Sequence, residues 1–305
     1  MSEFVRQNSS LCNFATSDSW VILSPIEQSI KQKIEAVGVS LKDWDINIYR
    51  GVLTGFNDAF IISVEKKQEI LNNCKDEAER KRTEELIRPI LRGRDIKRYS
   101  YEYADLYLIA TFPSKHYDIE KYPAVKDYLL SFGMERLEQT GKEYQINGEK
   151  IKARKKTNNK WFETQDSISY WDEFYKPKIV WARLMRLSKS DIDSFPRFCL
   201  APEGFFVVDS LCFFTGDKAD LLVKELNSEF ATWYFFNNVA VLDNGGFQMR
   251  QQYIEEIPLP KIAENGLSID EQIYKTFDFS KEEIDFIKSA IAKRKSEILQ
   301  ADISR

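Results

Sequence analysis

The apolar residues of this 305-residue chain fall in short runs separated by charged segments. Runs at 106–111 and 179–183 have the length and composition of buried strands, and 46–49 and 59–64 read as strands flanking a turn at 51–55. Segments 205–208 and 211–214 read as a hairpin about Asp209-Ser210. A charged helix is expected across 76–87, ending before Pro89, and an amphipathic helix with a heavy apolar load across 221–236. No run approaches the roughly 18 apolar residues that a membrane-spanning helix needs, so no membrane partner is expected. The longest aromatic-rich stretch, 230–242, is broken by Asn237 and Asn238. With 43% hydrophobic and 30% charged residues, the pattern is that of a soluble globular chain.

Both ends carry helix-start signals. Ser24 as N-cap, Pro25 in the first turn and Glu27 form a capping box, after which Ile26, Ile30, Ile34 and Val37 recur at helical spacing up to Gly38. Ser280 and Glu283 form another box before Ile284, Ile287, Ile291 and Ile298. Three zones follow: a helical lead-in over 1–45, a mixed body over 46–260 and a helical segment over 261–305. The first ten residues lack a basic segment followed by an apolar one, so a cytoplasmic location is expected.

The chemistry that the chain lacks is informative. A single histidine, His116, argues against a histidine-based metal site or a Ser-His-Asp triad, and four cysteines without a C-x-x-C pair argue against structural zinc. There is no G-x-G and no G-x-x-x-x-G-K-[ST] loop, so neither a dinucleotide fingerprint nor a P-loop is present. There is no Pro-Pro, and hence no Asx-Pro-Pro-aromatic loop of the kind an amino-methyltransferase uses to grip a flipped base. Asp45, Glu65 and Lys67 loosely fit the spacing of a Mg²⁺-dependent nuclease. Glu79/Lys81 and Asp95/Lys97 fit the short half of that pattern equally well.

Charge is strongly segregated. The net charge is −4, yet residues 86–98 carry five cations against one acid, 150–160 carry six cations and 176–189 carry five, both without an acid. These windows total +15, which leaves −19 for the rest of the chain. A basic stripe on an acidic body is a plausible footprint for DNA, and each window taken alone also suits a solvated face. The candidate DNA-contacting cations are Arg92, Arg94, Lys97 and Arg98 in the first window, Lys150, Lys152, Arg154, Lys155, Lys156 and Lys160 in the second, and Arg183 in the third. The second window has few apolar anchors and contains the pair Asn158-Asn159, so a mobile loop ending at Trp161 is expected. Thr54 and Asn57, around two glycines, suit contacts to phosphate or base edges. Gln248 and Arg250, in a loop opened by Gly245-Gly246, are base readers by side-chain type.

An ordered series of motifs resembles a known family. Arg50-Gly51-x-x-Thr54-Gly55-x-Asn57-x-Ala59-Phe60 is followed by an Ile90-Leu91-Arg92-Gly93-Arg94-Asp95-Ile96-Lys97-Arg98-Tyr99 segment. Tyr122-Pro123-Ala124-Val125-Lys126, Trp161-Phe162-Glu163 and Lys176-Pro177-Lys178-Ile179-Val180 come next, then Leu226-Asn227-Ser228 and Ile257-Pro258-Leu259-Pro260. The set resembles the TaqI-like specificity domain, the target-recognition part of adenine-N6 DNA methyltransferases and type IIG restriction-modification enzymes. The resemblance implies an α/β (mixed α+β) target-recognition domain with flanking helices at both ends, reading double-stranded DNA. It implies no catalytic residue and no cofactor in this chain, S-adenosylmethionine and Mg²⁺ belonging to a methyltransferase/nuclease domain in the same or a partner chain. The chain would then be part of a longer enzyme or a free-standing specificity subunit. Two alternatives are a self-contained nuclease built on Asp45, Glu65 and Lys67, and a protein-interaction module that binds no DNA.

Overall fold

The computed structural model describes residues 23–243, 245–262 and 266–303; residues 1–10, read above for a leader, lie outside them. The first described helix is α1 (Pro25–Val37). Ser24 Oγ accepts from the Glu27 N–H at 3.4 Å and the Glu27 carboxylate accepts from the Ser24 N–H at 2.8 Å, which closes the capping box. Gly38 ends the helix in extended backbone, not in the left-handed conformation of many helix-ending glycines. Its role is clearance, since a Cβ there would stand 2.7 Å from the Ile34 carbonyl oxygen and 2.9 Å from Pro258 Cβ.

Next come β1 (Val39–Ser40), β2 (Asn47–Arg50), α2 (Asn57–Phe60), β3 (Ile61–Ser63) and α3 (Val64–Asn72). The strand expected over 59–64 is only three residues long because Ser63 caps α3, accepting from the Lys66 N–H at 3.3 Å. Helix α4 (Glu77–Leu86), capped by Asp76, runs directly into β4 (Ile87–Leu91), and β5 (Leu106–Ile109) follows. The middle of the chain holds α5 (Pro123–Leu130), α6 (Met134–Leu137), β6 (Glu143–Ile146) and β7 (Glu149–Lys152). Then come β8 (Lys178–Ala182), β9 (Phe198–Ala201), β10 (Phe206–Val207) and β11 (Leu211–Thr215). The remaining elements are α7 (Ala219–Leu226), α8 (Glu229–Asn238), α9 (Gln251–Ile254), β12 (Pro258–Leu259), α10 (Ile269–Thr276) and α11 (Lys281–Ile303).

Two four-stranded sheets form the body. One has the order β10-β4-β5-β3, with β10 and β4 parallel; the other, β2-β11-β8-β9, is antiparallel throughout. The expected hairpin about Asp209-Ser210 does not form. β10 pairs with β4 in one sheet, while β11 pairs with β2 and β8 in the other. Neither Asp209 nor Ser210 has the positive φ that the tight hairpin turns demand, so the chain steps from sheet to sheet there. Phe174 fills the seam, its ring 4.2 Å from that of Phe206 in β10 and 4.6 Å from that of Phe213 in β11.

The helix expected over 221–236 is two helices. Ser228 caps α8 by accepting from the Ala231 N–H at 3.0 Å. The buried Asn227 amide donates to the Phe198 carbonyl at 2.9 Å and accepts from the Phe198 N–H at 3.1 Å, pairing with β9 as a strand would. At the other end, Glu283 closes its capping box with Ser280 and also accepts from Ser29 Oγ at 2.6 Å and Lys33 Nζ at 2.7 Å. One buried carboxylate therefore joins α11 to α1.

Glu225 in α7 is fully buried, and among the described residues neither of its carboxylate oxygens has a hydrogen-bond partner. Burial pushes its pKa up to about 8, against a pull downward from Lys218. Between the ordinary glutamate range and about pH 8 the folded chain keeps a proton that the unfolded chain has released. Stability from this site is therefore full below that window and is lost as pH rises through it. Glu225→Gln is expected to remove the slope. Thermal melting at about pH 5 and about pH 8 checks this, and the gain of the variant over the wild type must be larger at the higher pH.

Candidate nucleic-acid interface

The motif after β2 is a compact loop held from inside. Gly51 passes so close to the segment after β10 that a Cβ would stand 2.0 Å from the Val208 carbonyl oxygen. Gly55 has φ +77°, and a Cβ there would meet Gln165 Oε1 at 2.6 Å. The Thr54 hydroxyl accepts from the Phe56 N–H at 3.1 Å and donates to Asn57 Oδ1 at 2.7 Å. Thr54 is fully buried, so it faces no ligand; it positions Asn57, whose side chain is exposed at the first turn of α2.

The second basic window packs against this loop. It is not the expected mobile loop: 149–152 form β7, and 153–165 are pinned by side-chain bonds. The Gln139 amide donates to the Lys160 and Glu163 carbonyls and that of Asn159 to the Thr164 and Gln165 carbonyls. Arg154, expected on the DNA, is buried. Its guanidinium donates to the carbonyls of Leu137 (2.9 and 2.6 Å), Thr54 (3.0 Å), Glu163 (2.7 Å) and Trp161 (2.5 Å). These bonds use all five of its N–H donors. Burial lowers its pKa to about 10 while Glu163 raises it, so the group stays charged near neutral pH.

Between the loop and the hairpin lies an open cleft of about 870 Å³. Among its described lining residues are Arg136, Lys150, Lys152, Arg154, Lys155 and Lys156, and no acid. Lys150 pairs with Glu143 at 2.7 Å on the surface; Lys152, Lys155 and Lys156 are exposed and have no ion pair among the described residues. Lys160 is exposed beside the Phe162 ring, 5.5 Å from its centre. Arg136, on α6, is a cation that the sequence did not single out, because it stands alone between Glu135 and Leu137.

A row of charges continues the cleft along one edge of the β2-β11-β8-β9 sheet. Asp166 donates its N–H to the carbonyl of the cleft-lining Leu53 at 3.1 Å; burial raises its carboxyl, and Arg50 and Lys155 pull it back down. Arg50 pairs with Asp209 at 3.1 Å, and Arg183 donates to the Asp209 carbonyl at 3.1 Å. Gly93, after β4, packs toward Ser210, which brings Arg92 and the exposed Arg94 to the same edge. Arg92 is paired with the buried Asp95 at 2.8 Å.

Other expected contacts lie elsewhere. Arg98 donates to the backbone carbonyls of Asp193 and Asn227, and so bridges loops of the fold. Lys97 pairs with Glu102 at 3.1 Å. The third window is not one face either: Lys178 is buried, donating to the Phe174 and Pro202 carbonyls, with burial lowering its pKa to about 8. Arg183 and Arg186 lie past the other end of β8. Gln248 and Arg250 follow a turn whose Phe247 and Met249 are buried, leaving Arg250 exposed. Asp45 and Glu65 border separate clefts, and Lys67 lies over the Tyr107 ring, so the nuclease trio is not brought together.

With this geometry in hand, the comparisons are informative. The profile of the TaqI-like C-terminal specificity domain matches residues 88–259, more than half of the sequence. The chain belongs to that family of specificity domains. Its fold is similar to those in two solved structures, the type IIG restriction endonuclease BpuSI and the type IIL restriction-modification enzyme MmeI in complex with DNA. The first match has 15% identity and a TM-score of 0.52, and covers 90% of this chain and 32% of that one. The second has 11% identity and a TM-score of 0.52, and covers 85% and 37%. This chain thus spans about a third of either enzyme. No curated protein matches the sequence.

Removing the Arg154 fork leaves the Leu137 and Trp161 carbonyls without another donor among the described residues and strips one bond each from those of Thr54 and Glu163, which keep the Gln165 N–H and the Gln139 amide; an unmet buried acceptor costs roughly 1–3 kcal/mol. Arg154→Met is therefore expected to destabilise the protein by on the order of 3–5 kcal/mol. Arg154→Lys should recover only part of that, since lysine offers three donors in no fixed fork. Urea unfolding of both variants checks the ranking.

Proposed function

We propose that this chain is the sequence-specific DNA-recognition part of a type IIG-like restriction-modification system, acting in the cytoplasm. It directs adenine-N6 methylation or cleavage that is carried out by a catalytic domain in the same or a partner chain. The observation that carries this reading is the cleft between the glycine loop and the basic hairpin, lined among the described residues by five exposed cations, the buried Arg154 and no acid. Such a groove suits the backbone of a polyanion; the core of a protein–protein interface is depleted of charge, which disfavours the interaction-module alternative. Arg136, Lys150, Lys152, Lys155 and Lys156 hold phosphates, and Asn57 lies at the rim of the same loop. Arg50, Arg94 and Arg183 extend the track along the sheet edge.

The residues present do not suit the cofactors of the full reaction. No G-x-G loop exists for S-adenosylmethionine, and no group of three His, Cys, Asp or Glu side chains among the described residues is placed to hold Mg²⁺. Both belong to the catalytic partner in this reading. Among the described residues no helix is long and apolar enough to cross a membrane.

Fluorescence anisotropy with a labelled duplex across a salt series tests the proposal. Binding at low salt should weaken steeply as salt rises, each neutralised phosphate contributing about −0.9 to the slope of log K against log salt. The triple variant Lys152→Ala, Lys155→Ala, Lys156→Ala is expected to flatten that slope by up to about 2.7 and to weaken all duplexes alike, with an unchanged melting temperature. No binding at low salt, or a flat salt response, overturns the reading. The chain alone is expected to transfer no label from S-adenosylmethionine to duplex DNA above a boiled control.

A further inference from the structure

Past the end of β8 isolated bridges join three short segments into a further small patch of sheet. Met185 and Phe247 exchange two backbone hydrogen bonds of 2.9 Å, and Phe247 bridges Val241 on its other side, both pairings antiparallel. The outer two strands are a ribbon, since Gln248 N–H donates to Ala240 and Leu242 N–H to Gly246, each at 2.9 Å. Strand alternation then sorts the side chains. Met185 and Phe247 point inward and are fully buried, while Val241, on the same side in the last strand, is 40% exposed. Leu184, Arg186, Ala240, Leu242 and Gln248 fall on the outer face, and Gly246 adds no side chain among them.

That outer face is unusual in composition. Leu184 is 39% exposed and Leu242 37% exposed, although both are aliphatic. The register 185 to 247 places Leu184 directly opposite Gln248, and such cross-strand pairs stand roughly 5 Å apart at Cβ. Among the described residues the Gln248 side-chain amide has no hydrogen-bond partner, so its donor and acceptor are unspent there. Arg186 shares this face, and Arg183, Lys189 and the exposed Arg250 stand within a few residues of it in the sequence, which gives the region the charge that complements a nucleic-acid backbone. The ribbon of the strands through Val241 and Phe247 is of the two-stranded kind that the roughly 12 Å wide major groove admits, and Leu184 flanks it on the neighbouring strand.

We propose that this face enters the major groove and reads an adenine with Gln248, while Leu184 covers a thymine methyl beside it. A primary amide matches the N6 donor and N7 acceptor of adenine together, and an aliphatic side chain matches the methyl group that distinguishes thymine. The proposal rests on the DNA-binding reading above and deepens it, naming the base pair and the two side chains that choose it. Leu184 had no motif around it; only the strand register brings it to Gln248.

The test uses the full chain. A preferred duplex is first selected from a random library. In it each thymine is then replaced in turn by uracil, which removes only the methyl, and each adenine by 7-deazaadenine, which removes only the N7 acceptor. The wild type should bind one uracil duplex about fourfold more weakly. It should bind one 7-deazaadenine duplex roughly fivefold more weakly or worse. Leu184→Ala should become indifferent to the uracil and keep the 7-deazaadenine penalty; Gln248→Ala should show the reverse. Both side chains point outward, so melting temperatures should match the wild type and certify the fold. If both variants keep the wild-type pattern of penalties, or if no preferred duplex emerges while binding persists, the base-reading assignment is wrong and the DNA-binding reading stands. If the wild type binds no duplex at all, both fall.

Discussion

The guanidinium of Arg154 is the interaction on which the candidate interface depends. The loop after β2, the end of α6 and the 161–163 segment have no shared sheet or helix to align them. Each instead offers a backbone carbonyl to the same planar fork. Five fixed donors in one plane define positions in a way that a hydrophobic contact does not, because hydrogen-bond angle and distance are both constrained. The charge is tolerated inside because every donor is met, and because the Phe60 ring lies 5.0 Å from the guanidinium carbon. The cations around the cleft are thus arranged by one that never reaches the surface.

The rest of the body makes that arrangement rigid. The step of the chain from β10 to β11 carries the backbone from one sheet into the other, and Phe174 stacks against both sides of the step. Gly51 and Val208 then lie backbone to backbone, so the loop after β2 cannot drift from the seam. The ends of β2, β8 and β4 are brought together as a result, with Arg50 closing β2, Arg183 following β8, and Arg92 and Arg94 following β4. The three strands are far apart in sequence.

Much of the local structure was legible before the fold was known. The capping boxes at Ser24 and Ser280 depend on residues three apart, and both formed as expected. The strands at 106–109 and 178–182 were visible in their apolar runs. The failures have a common cause, which is that a tertiary partner decided the local outcome. Asn227 breaks a helix because Phe198 in a distant strand needs its amide. The 205–214 region is not a hairpin because two other strands compete for its halves. Of the candidate site residues, Lys152, Lys155 and Lys156 lie on the cleft, whereas Arg154, Arg98 and Thr54 spend their polar groups on the protein. A lysine-and-arginine run carries no mark of which member will turn inward. Arg136 was missed for the opposite reason, since a solitary cation in a short helix has no pattern to betray it.

The small sheet formed by the strands through Met185, Phe247 and Val241 has a consequence for how such a domain changes over evolutionary time. Its two-residue period divides labour between alternate positions. Met185 and Phe247 answer to the core, where a change of volume is penalised. Their neighbours at 184, 186, 242 and 248 answer to whatever lies outside, and little of the folding free energy rests on them. Substitution at those four positions can therefore alter what is recognised while leaving the scaffold's thermodynamic stability nearly untouched. A lineage can explore new targets there without passing through unfolded intermediates.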